Sequence, residues 1–286
     1  MKYSYLKIMV CLIVALALIS SGCTSEEEAE TVKIGIVQWD DSRATAAVFT
    51  HILDEGGYEY ETVSADLGGL YQGTAQGDID VLIQGWLPAT QAPYWDRYGD
   101  QLNQANVVAS GAKTGLVVPE YVTIDTVEEL KGNESLFDGR ILGIEPGAGI
   151  MHSTEECIVE YGLEEYELYS SSTVGMVTEL QRNVNDNEWV VVTLWRPHWS
   201  FARIDGLKFL EEPLGIYGES DDLVILTRLG FEEDMPEFYQ LIQNFEMELD
   251  EIESIMIDID SGMSPDEAGA QWLANNPEKL EEFLGT

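Results

Sequence analysis

The chain runs to 286 residues with 45% hydrophobic content, enough to bury the core of one large α/β domain or of two lobes. Its 53 acidic residues against 14 basic ones leave a formal net charge of −39. That balance excludes nucleic acid as a partner, because a phosphate backbone needs a basic footprint and no Lys/Arg cluster exists. So much like charge opposes compaction in dilute buffer and becomes tolerable when molar salt cuts the Debye length to about 3 Å, which points to a salt-loving source. The chain opens with Lys2 and Lys7, an apolar stretch over Ile8–Ile19 and small residues before Cys23, the pattern of an export signal ending in a lipoprotein-like box. We expect a signal peptide over residues 1–22, lipid attachment at Cys23 and an acidic tether over 23–31. With Cys11 lost and Cys23 acylated, Cys157 stands alone on a predicted helix and reads as packing rather than as half of a disulfide.

The body then alternates strand and helix. Thr31–Gln38 is a short apolar strand with Trp39 at its end. Asp40, Asp41 and Ser42 are N-cap candidates for a helix over residues 43–55, closed by Gly56 and Gly57. Tyr58–Val63 reads as a strand and Leu67–Gln76 as a short helix, then a strand over Ile79–Gln84 followed by Gly85, Trp86, Leu87 and Pro88. Gln91–Gln101 is a helix or lid. Gly115–Val122 is a strand whose Pro119 suits an edge or a crossover. Arg140–Glu145 opens a second unit of the same rhythm, with a tight turn at Pro146, Gly147, Ala148 and Gly149 and a helix over 151–161. Val190–Leu194 has the β-branched run of a strand buried on both faces in a parallel sheet, and it too ends in a Trp-x-Pro pattern, Trp195, Arg196, Pro197. Asp222–Arg228 is a return strand, and the remainder is helical, including a capping box at Ser264 and Glu267 with Pro265 between them. The expected fold is α/β with two lobes, each a mixed sheet flanked by helices: residues 32–113 with 218–286, and residues 114–217.

No catalytic constellation accompanies this fold. There is no nucleophile elbow, no zinc motif and no cysteine cluster, and His51, His152 and His198 are far apart in sequence. Among so many carboxylates, a pair of Asp or Glu carries no information. The tryptophans carry more. Trp39, Trp86 and Trp195 each fall at a predicted strand end, on the edge where open α/β sheets bind ligands. Converging indoles suit a permanent cation that has methyl surface and no hydrogen to donate. The Gly147–Ile150 turn, between a strand and a helix, can turn its amides to an anion. Together a cation cage and an amide nest describe a small zwitterion.

From residue 32 onward the chain resembles the substrate-binding lipoproteins of glycine betaine and proline betaine ABC importers. The resemblance lies in KIGIVQWD, GDIDVLIQGWLPAT, GLVVPEYV, GIEPGAGIM, VVVTLWRPHW and YGESDDL. It implies a periplasmic-binding-protein-like fold of type II and no enzymatic activity. It further implies three indoles, Trp39, Trp86 and Trp195, around a quaternary ammonium, with the amides of Gly149 and Ile150 at the ligand carboxylate. Relatives carry a histidine after WLPxT where this chain has Gln91, which offers one neutral N–H in its place. His198 is counted with the binding residues, or with Arg196 as a support for the Pro197 loop. The implied partners are a small quaternary amine and an ABC permease, with no cofactor and no metal. A monomer on the extracytoplasmic face of the cell membrane is expected. The alternative ligand is choline or another quaternary amine that lacks the carboxylate.

Overall fold

The computed structural model describes residues Thr31–Gly285. The expected signal peptide, Cys23 and most of the tether lie outside them. Five strands make the first sheet. β1 (Val32–Ile36) lies parallel between β2 (Tyr60–Ser64) and β3 (Val81–Leu87). β3 pairs antiparallel with β9 (Asp221–Arg228), and β9 pairs antiparallel with the first part of β4 (Leu102–Pro119). β4 then changes partners. Residues up to Ala112 face β9, whereas Lys113–Val117 pair with β7 (Val192–Arg196). The second sheet adds β5 (Arg140–Leu142) and β6 (Glu167–Tyr169) beyond β7, with β8 (Leu207–Phe209) on the end of β4. The architecture is mixed α/β with two lobes, and β4 is the strand they share.

Two strands depart from their sequence-based reading. The run Val190–Leu194 suggested a parallel neighbourhood, yet β7 runs antiparallel to β4 and meets β5 in parallel only at Leu142 and Val192. Its burial comes from lying between two strands and under helices, which a parallel and a mixed sheet supply equally. β4 begins some 13 residues before the predicted Gly115. Its first part shifts register against β9 at three places, so no clean alternation marks it in the sequence.

The helices seat as their patterns require. α1 (Asp40–Gly56) buries Ala44, Val48, Phe49, Ile52 and Leu53, and closes at Gly57 with φ +72°. Its N-cap is Trp39 rather than an aspartate, so Asp40 and Asp41 lie in its first turn with their side chains free for other partners. α2 (Leu67–Gln76) is capped by Asp66, and α3 (Ala92–Tyr98) starts after Gln91. In the second lobe α4 (Gly149–Glu160) and α5 (Thr173–Asp186) follow β5 and β6. Ser264 and Glu267 form the expected capping box on the helix Pro265–Asn275. Cys157 is buried on α4, and burial pushes its thiol up to about 12, the state of a packing residue. Among the described residues no helix is long and apolar enough to cross a membrane.

Candidate functional site

A small cleft lies between the residues carried by the two sheets. Three indoles line it, each delivered by a different element. Trp39 sits at the N-cap of α1, Trp86 is the penultimate residue of β3, and Trp195 is the penultimate residue of β7. Sequence reasoning set Trp86 and Trp195 just beyond their strands; they lie inside the ladders, which fixes their backbones more firmly. All three are less than a tenth exposed.

Each indole N–H is engaged by a carboxylate. Trp39 donates to Glu145 Oε1, Trp86 to Asp41 Oδ2 at 3.3 Å, and Trp195 to Asp41 Oδ1 at 3.1 Å. Trp199, just outside the lining, donates to Asp40 Oδ2 at 2.7 Å. With their polar atoms turned to these partners, the three side chains offer the cleft aromatic carbon. Several of these bonds cross between lobes: Trp195 lies on β7 and Trp199 follows it, Asp40 and Asp41 belong to α1, and Glu145 faces Trp39 from the far side.

The other end of the cleft is made of backbone. Ala148 caps α4 with no side-chain bond, and among the described residues the amides of Gly149 and Ile150 have no acceptor. Free amides at the start of a 12-residue helix suit an anion. Gly149 is obligatory here for a second reason. A Cβ at that position would lie 2.0 Å from the carbonyl oxygen of Thr90, so a side chain would push the lobes apart. Tyr94 on α3 reinforces the same junction by donating to the Gly147 carbonyl at 2.6 Å.

Ile144, Ala148, Thr90 and Thr114 complete the lining, the two threonine hydroxyls being 3.1 Å apart. The loop after β3 is held by buried Asp221, whose carboxylate accepts from Ala89 N at 2.6 Å and from Thr90 N at 3.1 Å. Gln91 is buried but does not line the cleft. Its Oε1 accepts from Tyr71 Oη at 2.8 Å, while its Nε2 has no partner among the described residues. His198 also stands behind the lining. Its Nδ1 accepts from the Ser200 amide at 3.2 Å, and its ring meets Trp195 edge to face at 4.8 Å. Burial pushes His198 down to about 3, so it is a neutral buttress for Trp195. Arg196 turns away and stacks over Phe201 at 4.3 Å.

Sequence reasoning missed Asp41, Glu145 and Asp221. No chemical signal separated them from the chain's many other carboxylates; their burial and their partners do. The described residues contain no cluster of His, Cys, Asp and Glu able to hold a metal ion.

Comparison with known proteins supplies the context. Residues 30–275 match the model of the substrate binding domain of ABC-type glycine betaine transport systems. The chain belongs to that family. It is therefore one of the solute-binding proteins and not an enzyme. Over 145 residues it is 38% identical to the glycine betaine/carnitine transport binding protein of Listeria monocytogenes, a stretch covering 50% of this chain and 48% of that relative. The match thus spans about half the length of that curated protein. Lactococcal OpuAC, in a closed, liganded conformation complexed with glycine betaine, superposes with a TM-score of 0.84 at 30% identity, over 89% of this chain and 99% of that one. An ABC-transporter choline binding protein in complex with choline gives a TM-score of 0.85 at 27% identity, over 91% and 93% of the two chains.

Proposed function

We propose that this protein is the lipid-anchored, extracytoplasmic receptor of an ABC importer for glycine betaine and proline betaine. One observation carries the reading: three indoles with engaged N–H groups and two unpaired helix-start amides line the same small cleft. In this reading Trp39, Trp86 and Trp195 enclose the methylated ammonium, each ring face contributing about 0.5–2 kcal/mol once water is excluded. The amides of Gly149 and Ile150 receive the carboxylate, and the α4 dipole favours its charge. Gln91 Nε2 supports that carboxylate from behind the lining, and His198 keeps Trp195 in place. Lobes 32–113 with 218–286 and 114–217 close by flexing β4 near Lys113, and the closed form docks on the membrane permease as a monomer. Cys23 carries the lipid, and the acidic surface suits a salt-rich medium. Importing a solute without net charge raises internal osmolarity at no electrostatic cost to the cell.

Choline is the second reading, favoured by the similarity to a choline-bound structure. It would leave the Gly149 and Ile150 amides without their anion. Tryptophan fluorescence in molar salt, titrated with glycine betaine, proline betaine, choline and proline, separates the two. A saturable change with both betaines and a weaker one with choline is expected. Saturation by choline alone refutes the role given to the amides, and no response to any of the four refutes the ligand.

A further inference from the structure

Asp41 is fully buried two residues beyond Trp39, in the first turn of α1. Its two carboxylate oxygens are divided between two walls of the cleft: Oδ2 takes the N–H of Trp86 from the first sheet, and Oδ1 takes that of Trp195 from the second. The charged groups around it do not neutralise it. Asp40 is adjacent and adds repulsion; it faces Arg43 at 3.5 Å and His198 Nε2 at 3.9 Å. His198 is neutral throughout the physiological range, and Glu145 across the cleft is another acid. Asp260, near Arg203, interacts with Asp40 from the helix Leu249–Asp260. Among the described residues no Lys, Arg or His forms an ion pair with Asp41 itself.

We propose that Asp41 is the positioning residue of the cage: a single buried carboxylate clasps an indole from each lobe, so its negative charge sets two walls for a quaternary ammonium and couples their assembly to closure. The inference rests on the ligand reading above. The physics is direct. An ionised carboxylate accepts both N–H groups well, whereas a protonated one keeps a single good acceptor for two donors. A carboxylate behind the rings also lowers the potential felt by a cation in front of them. Burial, against the pull of its own backbone amide, pushes Asp41 up to about 7. A bound cation favours the ionised form, so ligand entry below that pH expels a proton, and affinity rises with pH until the free protein is itself ionised.

Two measurements test this. Calorimetric titration with glycine betaine, from pH 5.5 to 8.5 in buffers of different ionisation enthalpy, should show proton release at the acid end and about tenfold tighter binding at the alkaline end. Asp41→Asn should bind about tenfold more weakly than the wild type at pH 8, with a flat profile and no proton release. Indole N–H resonances of the ligand-free wild type, assigned with W86F and W195F, supply the second measurement. The Trp86 and Trp195 signals should move together with a midpoint near pH 7 while Trp39 stays still. If those two signals do not titrate between pH 5 and 9, or if Asp41→Asn keeps the wild-type affinity and pH profile, the clasp is refuted. If they titrate but glycine betaine does not bind, the ligand reading falls and the clasp stands.

Discussion

The two ends of the cleft are built from different materials. At the end proposed for the cation every contact surface is a side chain, three indoles whose N–H groups are tied to Glu145 and Asp41. At the end proposed for the anion the contact surface is main chain, the first amides of α4, presented where Gly149 meets the Thr90 carbonyl. Side chains can be cut back one at a time and leave a smaller cage. Backbone cannot be cut back; it can only be displaced. Removing one wall should therefore weaken binding in proportion to lost contact, while adding one methyl at the backbone end should act on closure itself.

The largest effect is expected from Trp195→Ala, which removes a wall and one end of the Asp41 clasp together. Loss of a buried aromatic hot spot costs about 2–4 kcal/mol, so affinity for glycine betaine should fall about 100-fold by calorimetry. Gly149→Ala comes next. Its new Cβ meets a carbonyl rather than a flexible side chain, so the lobes should stay ajar and affinity should fall about 30-fold. Small-angle scattering with saturating ligand should show the wild type contracting and the variant not; equal contraction would mean the two ends do not differ in this way.

Stability offers a third contrast. Asp41 is raised in the folded state, so between pH 4 and 7 the native chain holds a proton that the unfolded chain has released. Its contribution therefore falls as pH rises through that window and is flat above it. His198 works in the opposite sense: with its folded value near 3, its contribution is full above the usual histidine range and fades as pH drops below it. Subtracting the Asp41→Asn curve from the wild type in denaturant unfolding isolates the first effect. A decline of about 2–4 kcal/mol from pH 4 to 7 is expected, the upper figure being the full shift converted at about 1.4 kcal/mol per unit. A flat difference would show Asp41 without a shift, and one that rises with pH would show the native fold favouring its ionised form, a lowered rather than a raised value.

The same contrast explains what the sequence could disclose. The indole-lined end was legible because tryptophan is rare and the sequence sets three of seven at predicted strand ends; Trp86 and Trp195 lie on strands, and Trp39 lies three residues past β1 at the N-cap of α1. The backbone-lined end was legible through its glycines: Gly147 takes φ +89°, and Gly149 allows the close approach to Thr90. The carboxylates that hold the indoles were hidden by the protein's own acidity: Asp40 and Asp41 looked like helix caps, yet Trp39 holds the cap position and the two acids turn to indoles. Strand β4 was half visible for a comparable reason. In its later part Leu116, Val117 and Val118 are a uniform buried run, whereas Asn103, Gln104 and Asn106 in its first part sit at or beside a register shift, and the two asparagines donate to Tyr239 and Ile242 on the distant helix Pro236–Asn244.

Gln91 gives the smallest predicted effect and the sharpest view of the boundary between the two ends. It stands behind the lining, with Oε1 occupied by Tyr71 and Nε2 buried without a partner. A buried amide that donates to nothing is costly, by about 1–3 kcal/mol, unless a ligand or a water takes the hydrogen. If the ligand carboxylate takes it, Gln91→Ala should weaken glycine betaine about threefold to tenfold and leave choline unaffected, because choline has no anion to lose. Equal weakening of both ligands would instead assign Gln91 to support of the α3 start through Tyr71, and the anion would then be held by main chain alone.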